Sequence, residues 1–373
     1  KEKYLGMQGF TTKPSDIIVS CAGTIGECYQ LPTDAPLGII NQALMRVELY
    51  ILDMADYWML FFEDMLNHNV AMKGAGSAIK NIPPFEILKN ILVPLPPLAE
   101  QHRIVAKIEE LMPLVEEYGV AQEKLNRLNE ALPETLKKSI LQQAMQGKLV
   151  PQDANDEPAS ALLARLRKEK EQLVKSGKLK KKDLATTPIT DEEKPFEIPE
   201  SWEWVRLNEL FHIVSARRVH QKDWRSSGIP FYRTREIGWL SENKKVSTDL
   251  FIEEKLFNEF SKTGCPIEND IMMTAVGTIG KTYIVKKEDK FYYKDASVLC
   301  LENFSKVNPQ FYCYLFDSSY FKEMAADGAM GTTVATITMV RANEYLVPLP
   351  PLAEQHRIVV KIEELMKLVD GMK

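Results

Sequence analysis

The chain has 373 residues with a formal net charge of −5, and 45% of them are hydrophobic and 27% charged, which is ordinary for a soluble protein of two or three domains. No apolar run approaches the roughly 20 residues of a membrane-spanning helix and Lys1 opens no signal peptide, so we expect a cytoplasmic protein without membrane contacts. The five cysteines form no CxxC pair and no Cys/His cluster with zinc spacing, so the sequence predicts no metal site.

Residues 1–92 alternate between strand-like and helix-like patterns. The β-branched run at residues 17–21 predicts a strand, Gly-Thr-Ile-Gly at residues 23–26 predicts a tight turn, and residues 41–48 predict a second strand. Residues 53–67 place apolar side chains at helical spacing. These patterns predict a mixed α/β unit.

Residues 93–150 change to a helical period. Pro96 and Pro97 can open a helix, and apolar residues then follow the alternating three- and four-residue steps of a coiled-coil seam. A helix from Leu98 to Gln146 would extend about 70 Å at 1.5 Å per residue, which suits a spacer. The seam contains Ile104, Ile108, Leu111, Val115, Tyr118, Leu125 and Leu132, and it is interrupted by Gln122 and Asn129.

Three residues are expected to shape this helix. Pro113 should bend it, and Pro133 should start a second segment, because proline lacks the backbone donor of a helix interior. Gly147 should end that second segment.

Residues 151–195 are typical of a linker. They contain a helix-prone stretch at residues 159–174, a basic run at residues 178–182 and a polar tail rich in Thr, Pro, Asp and Glu. We interpret the basic run as solvated, with nucleic-acid contact as the alternative.

Residues 196–346 form a second globular unit in which Trp202 and Trp204, at strand spacing, are expected to lie in the core. Residues 217–235 hold six basic residues against one acidic residue, a local balance of +5 in an acidic chain. The alternation at residues 229–235 predicts that Arg233 and Arg235 project from an ordered strand.

Residues 347–369 repeat residues 93–115 and differ from them at two positions only, Ala106/Val360 and Pro113/Lys367. The same offset of 254 positions relates Gly-Thr-Ile-Gly at residues 23–26 to the copy at residues 277–280. A globular unit followed by a helix therefore occurs twice, which predicts pseudo-twofold symmetry. By this offset, the first unit is expected to lack about 58 opening residues, and the second helix to stop at the position equivalent to Gly119.

Patterns that suggest catalysis are weak. Residues 275–282 fit AxxxxGKT, but a phosphate-binding loop needs a following helix, and the strand-like Tyr283-Ile284-Val285 favours a hairpin turn. Residues 81–85 resemble an Asn-Pro-Pro-Phe tetrad, but Ile82 breaks its spacing, so a Pro-Pro turn before a strand explains them better. No Ser/His/Asp, Cys/His or paired-carboxylate arrangement can be assembled from these motifs, so we predict a non-catalytic chain.

The duplicated PLPPLAEQHRIV, the helix end LKKSILQQAMQGKLVPQ and the opening PFEIPESWEWVRLNEL together resemble the specificity subunit of type I DNA restriction-modification systems. The resemblance implies an α+β fold in which two α/β target recognition domains are joined by long repeated coiled-coil helices. The implied segments are the C-terminal part of a first recognition domain (1–92), a first spacer helix (93–150), a linker (151–195), a second recognition domain (196–346) and the start of a second spacer helix (347–373).

The resemblance also implies partners. Such a chain reads a bipartite site in double-stranded DNA and docks modification and restriction motor-nuclease subunits, and S-adenosylmethionine and ATP are expected only in those partner subunits. A second copy of the chain, in a homodimer, could complete the missing halves. The alternative is a coiled-coil protein-interaction adaptor without DNA binding.

We predict two sets of site residues, one for DNA binding and one for the helix pair. Arg217, Arg218, Lys222 and Arg225 are expected to meet phosphates and Arg233 or Arg235 a guanine edge. The full DNA-binding set is Arg217, Arg218, Lys222, Arg225, Arg233, Thr234, Arg235, Thr278, Lys281, Gly331, Thr332, Thr333, Thr24, Lys73 and Ser77. The predicted antiparallel helix pair joins Ile104, Ile108, Leu111 and Val115 to Ile358, Ile362, Leu365 and Val369.

Overall fold

The computed structural model describes residues 8–22, 24–68, 82–177, 179–263, 265–327 and 335–372. It divides into two compact units, residues 1–127 (unit 1) and 128–373 (unit 2). Both mix helices with strands, so the predicted α+β class is confirmed. Within the described ranges, no helix is long and apolar enough to cross a membrane.

Unit 1 is built on a small antiparallel sheet in the order β3-β2-β5, covered by one helix. Ile17 and Val19 point to the same face of the sheet and are fully buried with Phe62 and Leu66 of the helix. The elements are β1 (Thr11–Thr12), β2 (Ile17–Ser20), β3 (Cys28–Gln30), β4 (Gly38–Ile39), β5 (Leu44–Val47), α1 (Ala55–His68), α2 (Phe85–Leu88) and the start of α3 (Leu98–Met145).

Two predictions about prolines are wrong. The residues after Pro83 and Pro84 form the short helix α2, not a strand. Helix α3 runs unbroken through Pro133, so no second segment starts there, because a proline removes one backbone hydrogen bond and the many others of a long helix remain. The bend expected at Pro113 stays a prediction.

The predicted end of α3 at Gly147 is confirmed. Gly147 has a positive φ of 67°, its N–H donates to Ala144 O at 3.1 Å, and Lys148 N–H donates to Gln143 O at 2.9 Å. This is the pair of bonds by which a left-handed glycine satisfies the last carbonyls of a helix.

Unit 2 contains a four-stranded antiparallel sheet in the order β11-β10-β13-β7, a three-stranded sheet β12-β8-β9 and the antiparallel pair β14-β6. Its elements are α4 (Ala159–Lys175), β6 (Glu203–Arg206), β7 (His212–Ser215), β8 (Ile229–Tyr232), α5 (Thr234–Ser241), β9 (Phe251–Ile252), α6 (Glu254–Phe260), β10 (Ile271–Thr274), β11 (Thr282–Ile284), β12 (Tyr292–Tyr293), β13 (Val298–Glu302), α7 (Pro309–Asp317), α8 (Ser319–Asp327), α9 (Met339–Glu344), β14 (Leu346–Leu349) and α10 (Leu352–Asp370).

The two central strands of the four-stranded sheet, β10 and β13, are buried on both faces. Alternate residues of β10 point in opposite directions, so Ile271 and Met273 join the main core, whereas Met272 packs with Ile237 of α5. Trp202 and Trp204 are 3% and 8% exposed, which confirms their predicted place in the core.

The described residues of the Gly-Thr-Ile-Gly segments, 24–26 and 277–280, lie in hairpin turns. In unit 1, β2 pairs with β3 so that Ile17 faces Gln30, and in unit 2, β10 pairs with β11 so that Ile271 faces Ile284. These pairs are related by the 254-residue offset, so the register is the same. Strand β11 follows residues 275–281 directly, which confirms the hairpin and is unlike a phosphate-binding loop.

The end of helix α10 contacts the last turns of α3 within unit 2. Lys137 Nζ of α3 lies 2.8 Å from Asp370 at the end of α10. Ile358 and Ile362 are fully buried in the same cluster as Leu141. Helix α10 also packs against α7, and the predicted pairing of Ile358, Ile362, Leu365 and Val369 with residues 104–115 stays a prediction.

Candidate nucleic-acid interface

The basic segment at residues 217–235 follows β7, passes through a short helical turn and β8, and ends in the first turn of α5. Arg218 and Arg225 are well exposed on this path, with side chains 69% and 41% accessible. Each is paired, Arg218 with Asp295 at 2.9 Å and Arg225 with Glu253 at 2.7 Å. Exposed ion pairs are weak, so Arg218 can exchange partners. Arg225 is held more firmly, because its Nη1 also donates to Lys222 O at 2.8 Å and to Trp224 O at 2.9 Å.

Arg217 is fixed by stacking. Its guanidinium lies 4.4 Å from the ring centroid of Phe260, and its backbone N–H donates to the hydroxyl of Tyr292 at 3.0 Å. Its side chain is half exposed, and Lys222 in the following turn is exposed as well. Arg217, Arg218, Lys222 and Arg225 therefore all present charge at the surface of unit 2.

The prediction that Arg233 and Arg235 project from a strand is wrong. Strand β8 ends at Tyr232, Arg233 is the residue that precedes α5, and Arg235 lies in the first turn of that helix. The reason is Glu236, whose carboxylate accepts the backbone N–H of Arg233 at 2.9 Å and so starts the helix.

Glu236 also holds both guanidinium groups. It is completely buried and accepts from Arg233 Nη2 at 2.9 Å and from Arg235 Nη2 at 2.7 Å. On the solvent side, Asp249 Oδ1 lies 2.9 Å and 3.1 Å from the same two nitrogens. Arg235 further lies 4.9 Å from the ring of Trp239. We call Arg233, Arg235, Glu236 and Asp249 the arginine cluster.

The cluster's electrostatics favour fully charged groups. Burial alone would raise the pKa of Glu236, but hydrogen bonds from Arg233 and Arg235 outweigh it and hold that pKa below its ordinary value. The hydrogen bond to Glu236 raises the pKa of Arg233. Two guanidinium groups are thus held side by side, with 28% and 49% of their side chains exposed, at a helix N-terminus. Such planar donors suit phosphate oxygens and the O6/N7 edge of guanine.

The remaining predicted residues are spread more widely. Thr234 Oγ1 donates to Ser297 O at 3.2 Å, and Lys281 Nζ lies 3.5 Å from Glu242. Thr278 and Thr24 are exposed on the two hairpin turns. Gly331, Thr332, Thr333, Lys73 and Ser77 lie outside the described residues.

Sequence reasoning missed Glu236, Asp249 and Trp239. Glu236 could have been found, because an acidic residue three positions after a helix-initiating residue is a capping signal, and here it follows Arg233. Asp249 lies 13 positions beyond Glu236, and no local pattern connects the two. Across the part of the chain that the structure describes, no group of three His, Cys, Asp or Glu side chains could hold a metal ion.

Comparisons with known proteins extend these observations. The family model for the type I restriction modification DNA specificity domain matches residues 2–118 and 199–373. The EcoAI specificity subunit of Escherichia coli is 31% identical over 337 residues, which cover 79% of this chain and 56% of that protein. The EcoEI specificity subunit of the same species is 28% identical over 349 residues, which cover 80% of this chain and 57% of that protein. The chain therefore spans little more than half the length of these relatives.

A solved structure, the HsdS subunit from Thermoanaerobacter tengcongensis, is 18% identical with a TM-score of 0.45, over 97% of this chain and 76% of that one. The family model, by contrast, covers both globular units and the start of each repeated helix. Since this match takes in well over half of the sequence, the chain belongs to the type I restriction-modification DNA specificity family.

Proposed function

We propose that this chain is the DNA-recognition subunit of a type I restriction-modification complex. Unit 2 reads one half of a bipartite site in double-stranded DNA, and unit 1 contributes to reading the other half. The repeated helices set the spacing and dock modification subunits and, through the assembled complex, restriction motor-nuclease subunits. S-adenosylmethionine and ATP bind those partners.

The arginine cluster is the observation that carries this proposal. Arg233 and Arg235 are positioned by a buried carboxylate, so they lose little rotational freedom when they bind. Arg217 and Arg218 are at least half exposed and paired only with surface carboxylates, which suits contacts with phosphates. Together they combine sequence-independent attraction with a rigid, directional donor pair.

The test measures DNA binding by the complex reconstituted with its modification subunits. Arg233→Ala and Arg235→Ala should each weaken binding to the preferred site by about 1–3 kcal/mol and relax the preference at one base pair. Arg165→Ala is the matched control, because Arg165 is 53% exposed and paired with Glu157 outside this surface. Unchanged affinity and base preference in both cluster variants, as in the control, would contradict the proposal.

The alternative function, a protein-interaction adaptor, is favoured by one observation on α3. Leu111, Val115, Tyr118 and Leu125 follow the coiled-coil steps and are 42–69% exposed. An apolar stripe of this kind favours association, and we propose that a helix of a modification subunit, or of a second copy of the chain in a homodimer, covers it. Leu111→Glu with Tyr118→Glu should abolish this association but leave DNA contacts by the arginine cluster. Partner binding that survives the double substitution would contradict it.

We further propose that the chain has no catalytic centre. The purified chain, incubated with S-adenosylmethionine and DNA, should transfer no methyl group, and addition of the modification subunits should produce methylation. Transfer by the chain alone would overturn this.

A further inference from the structure

The repeated segment gives an internal comparison between two nearly identical sequences in different surroundings. Residues 346–349 form β14, which pairs antiparallel with β6 so that Val347 faces Val205 and Leu349 faces Glu203. Residues 92–95 have the same sequence, Leu-Val-Pro-Leu. Among the described residues of unit 1, no strand pairs with them.

Exposure differs sharply between the copies. Leu346, Val347 and Leu349 are 5%, 0% and 0% exposed, whereas Leu92 and Leu95 are 92% and 68% exposed. Val93 is 39% exposed. Since the sequences match, the difference comes from the surroundings, in which β6 pairs with one copy and no described strand of unit 1 pairs with the other. Each uncovered side chain carries an unfavourable hydration free energy.

The open copy is nevertheless held in place by the same type of contacts. The hydroxyl of Tyr57 donates to Pro94 O at 3.1 Å, as that of Tyr312 donates to Pro348 O at 3.4 Å. Gln101 Nε2 donates to Pro96 O at 2.8 Å, and its equivalent Gln355 donates to Pro350 O at 2.9 Å. The edge is therefore preformed.

The first turns of the two repeated helices differ in the same way at an equivalent glutamate. Glu354 is completely buried and accepts from the indole Nε1 of Trp202 at 2.9 Å and from Gln152 Nε2 at 2.5 Å. Its equivalent Glu100 is exposed, and within unit 1 no described side chain donates to its carboxylate. An indole donor close to the covering strand would satisfy it.

We propose that residues 92–95 together with Glu100 form an acceptor for an added β-strand with the chemistry of residues 202–206, Trp-Glu-Trp-Val-Arg. The occupant is a polypeptide segment that pairs antiparallel with residues 92–95, covers Leu92 and Leu95 with an aromatic and aliphatic face, and donates an indole N–H to Glu100. Backbone hydrogen bonds along the edge supply affinity, and the side-chain positions supply selectivity.

The experiment adds a labelled synthetic peptide with the sequence of residues 196–210 to the full chain. Binding is followed by fluorescence anisotropy, and hydrogen–deuterium exchange locates it. We expect saturable binding with slower exchange at residues 92–95 and unchanged exchange at residues 346–349. A peptide with Trp202→Ala should bind about tenfold more weakly or worse, which corresponds to about 1.4 kcal/mol.

Protein variants provide the decisive control. Leu95→Glu should weaken binding about tenfold or more. Leu37→Glu should leave it unchanged, although Leu37, at 66%, is as exposed as Leu95. Neither substitution removes a core residue, so folding is not at risk. Absence of saturable binding, equal effects of the two substitutions, or slower exchange at residues 346–349 would each overturn the proposal. No readout involves DNA, so the outcome is independent of the DNA-recognition proposal.

Discussion

Arg233 and Glu236 are joined by three hydrogen bonds, from the backbone N–H at 2.9 Å, from Nη2 at 2.9 Å and from Nε at 3.3 Å. One carboxylate thus starts helix α5 and orients the guanidinium that precedes it. The position of the arginine is linked to the helix end, so it is fixed before any ligand binds, which lowers the entropic cost of recognition.

Asp249 competes with DNA for the arginine cluster. Its carboxylate is 71% exposed and bridges Arg233 and Arg235, so a phosphate or guanine that approaches them must displace it. Asp249→Asn should therefore raise DNA affinity at low salt by about two- to fivefold, the scale of a surface ion pair. A titration of the reconstituted complex with its DNA site measures this.

The control for Asp249→Asn is Asp191→Asn. Asp191 is also exposed and pairs with Lys194 outside the basic segment, and its substitution removes the same unit of negative charge. Equal gains in the two variants would mean that net charge, and not displacement at the cluster, sets the affinity.

Asp270 predicts a pH dependence of stability in unit 2. Its unit 1 equivalent, Asp16, pairs with Arg46 at 3.2 Å, but the position equivalent to Arg46 holds Cys300, whose Sγ lies 3.9 Å from Asp270. Burial raises the pKa of Asp270 to about 6, against the lowering effect of hydrogen bonds from the backbone of Ile267 and Asn303. Since the folded-state pKa is raised, the stabilisation is complete below about pH 4 and is lost as pH rises through about 6.

The free energy of unfolding of unit 2 should thus fall by about 1 kcal/mol from pH 5 to pH 7 because of this group. Urea titrations followed by tryptophan fluorescence measure it, since four of the five tryptophans lie in unit 2. In Asp270→Asn, the decrease in the free energy of unfolding between pH 5 and pH 7 should be smaller by about 1 kcal/mol. A variant with the wild-type pH dependence would show that Asp270 is not the group responsible.

Gly147→Ala should destabilise unit 2 strongly. Gly147 has a φ of 67°, and a Cβ there would overlap the ring of Pro199. We expect a loss of about 2–4 kcal/mol, from backbone strain together with overpacking. Gly177→Ala separates the two causes, because Gly177 has a φ of 76° and an added methyl carbon there would meet nothing within 4 Å, so it should cost about 1 kcal/mol. Equal losses would show that the contact with Pro199 is relieved without cost.

Local sequence patterns predict the structure correctly wherever a single residue type determines the backbone conformation. The hairpin turns depend on Gly26, Gly277 and Gly280 and the helix end depends on Gly147, all with positive φ, and both features are predicted correctly. The repeat identified the duplicated unit without any fold assumption. The prediction that a new helical segment starts at Pro133 is wrong. Helix propensity alone does not show that one lost backbone hydrogen bond is a small loss in a helix of 48 residues.

Tertiary relationships account for the other failures. Alternation at residues 229–235 predicts a strand through Arg235, but the buried acceptor Glu236 ends it, and only the fold brings Asp249 to the same point. The replacement of Arg46 by Cys300 is visible in the repeat alignment, yet its effect on Asp270 needs the packing of β10 against β13.

The last prediction concerns the apolar side chains of α10, the second copy of the repeated helix. Ile362 is fully buried in the cluster that contains Leu141, so Ile362→Ala should lower the free energy of unfolding of unit 2 by about 2–4 kcal/mol. Ile108 is only half buried in unit 1, so Ile108→Ala should cost clearly less. Tryptophan fluorescence during urea unfolding of unit 2 measures the first effect.

A double-mutant cycle then tests which part of α3 packs against Ile362. For Leu141→Ala with Ile362→Ala we expect a coupling energy of about 0.5–3 kcal/mol, because both side chains are buried in one cluster and the Lys137–Asp370 ion pair holds the two helix ends together. The helix pair predicted from the repeat requires, in addition, a coupling between Ile108 and Ile362. Strictly additive effects of Ile108→Ala and Ile362→Ala would rule that pair out, and additive effects of Leu141→Ala and Ile362→Ala would contradict the packing of α10 on the end of α3. Because both cycles share Ile362→Ala, a general loss of stability affects them equally and only the coupling terms decide.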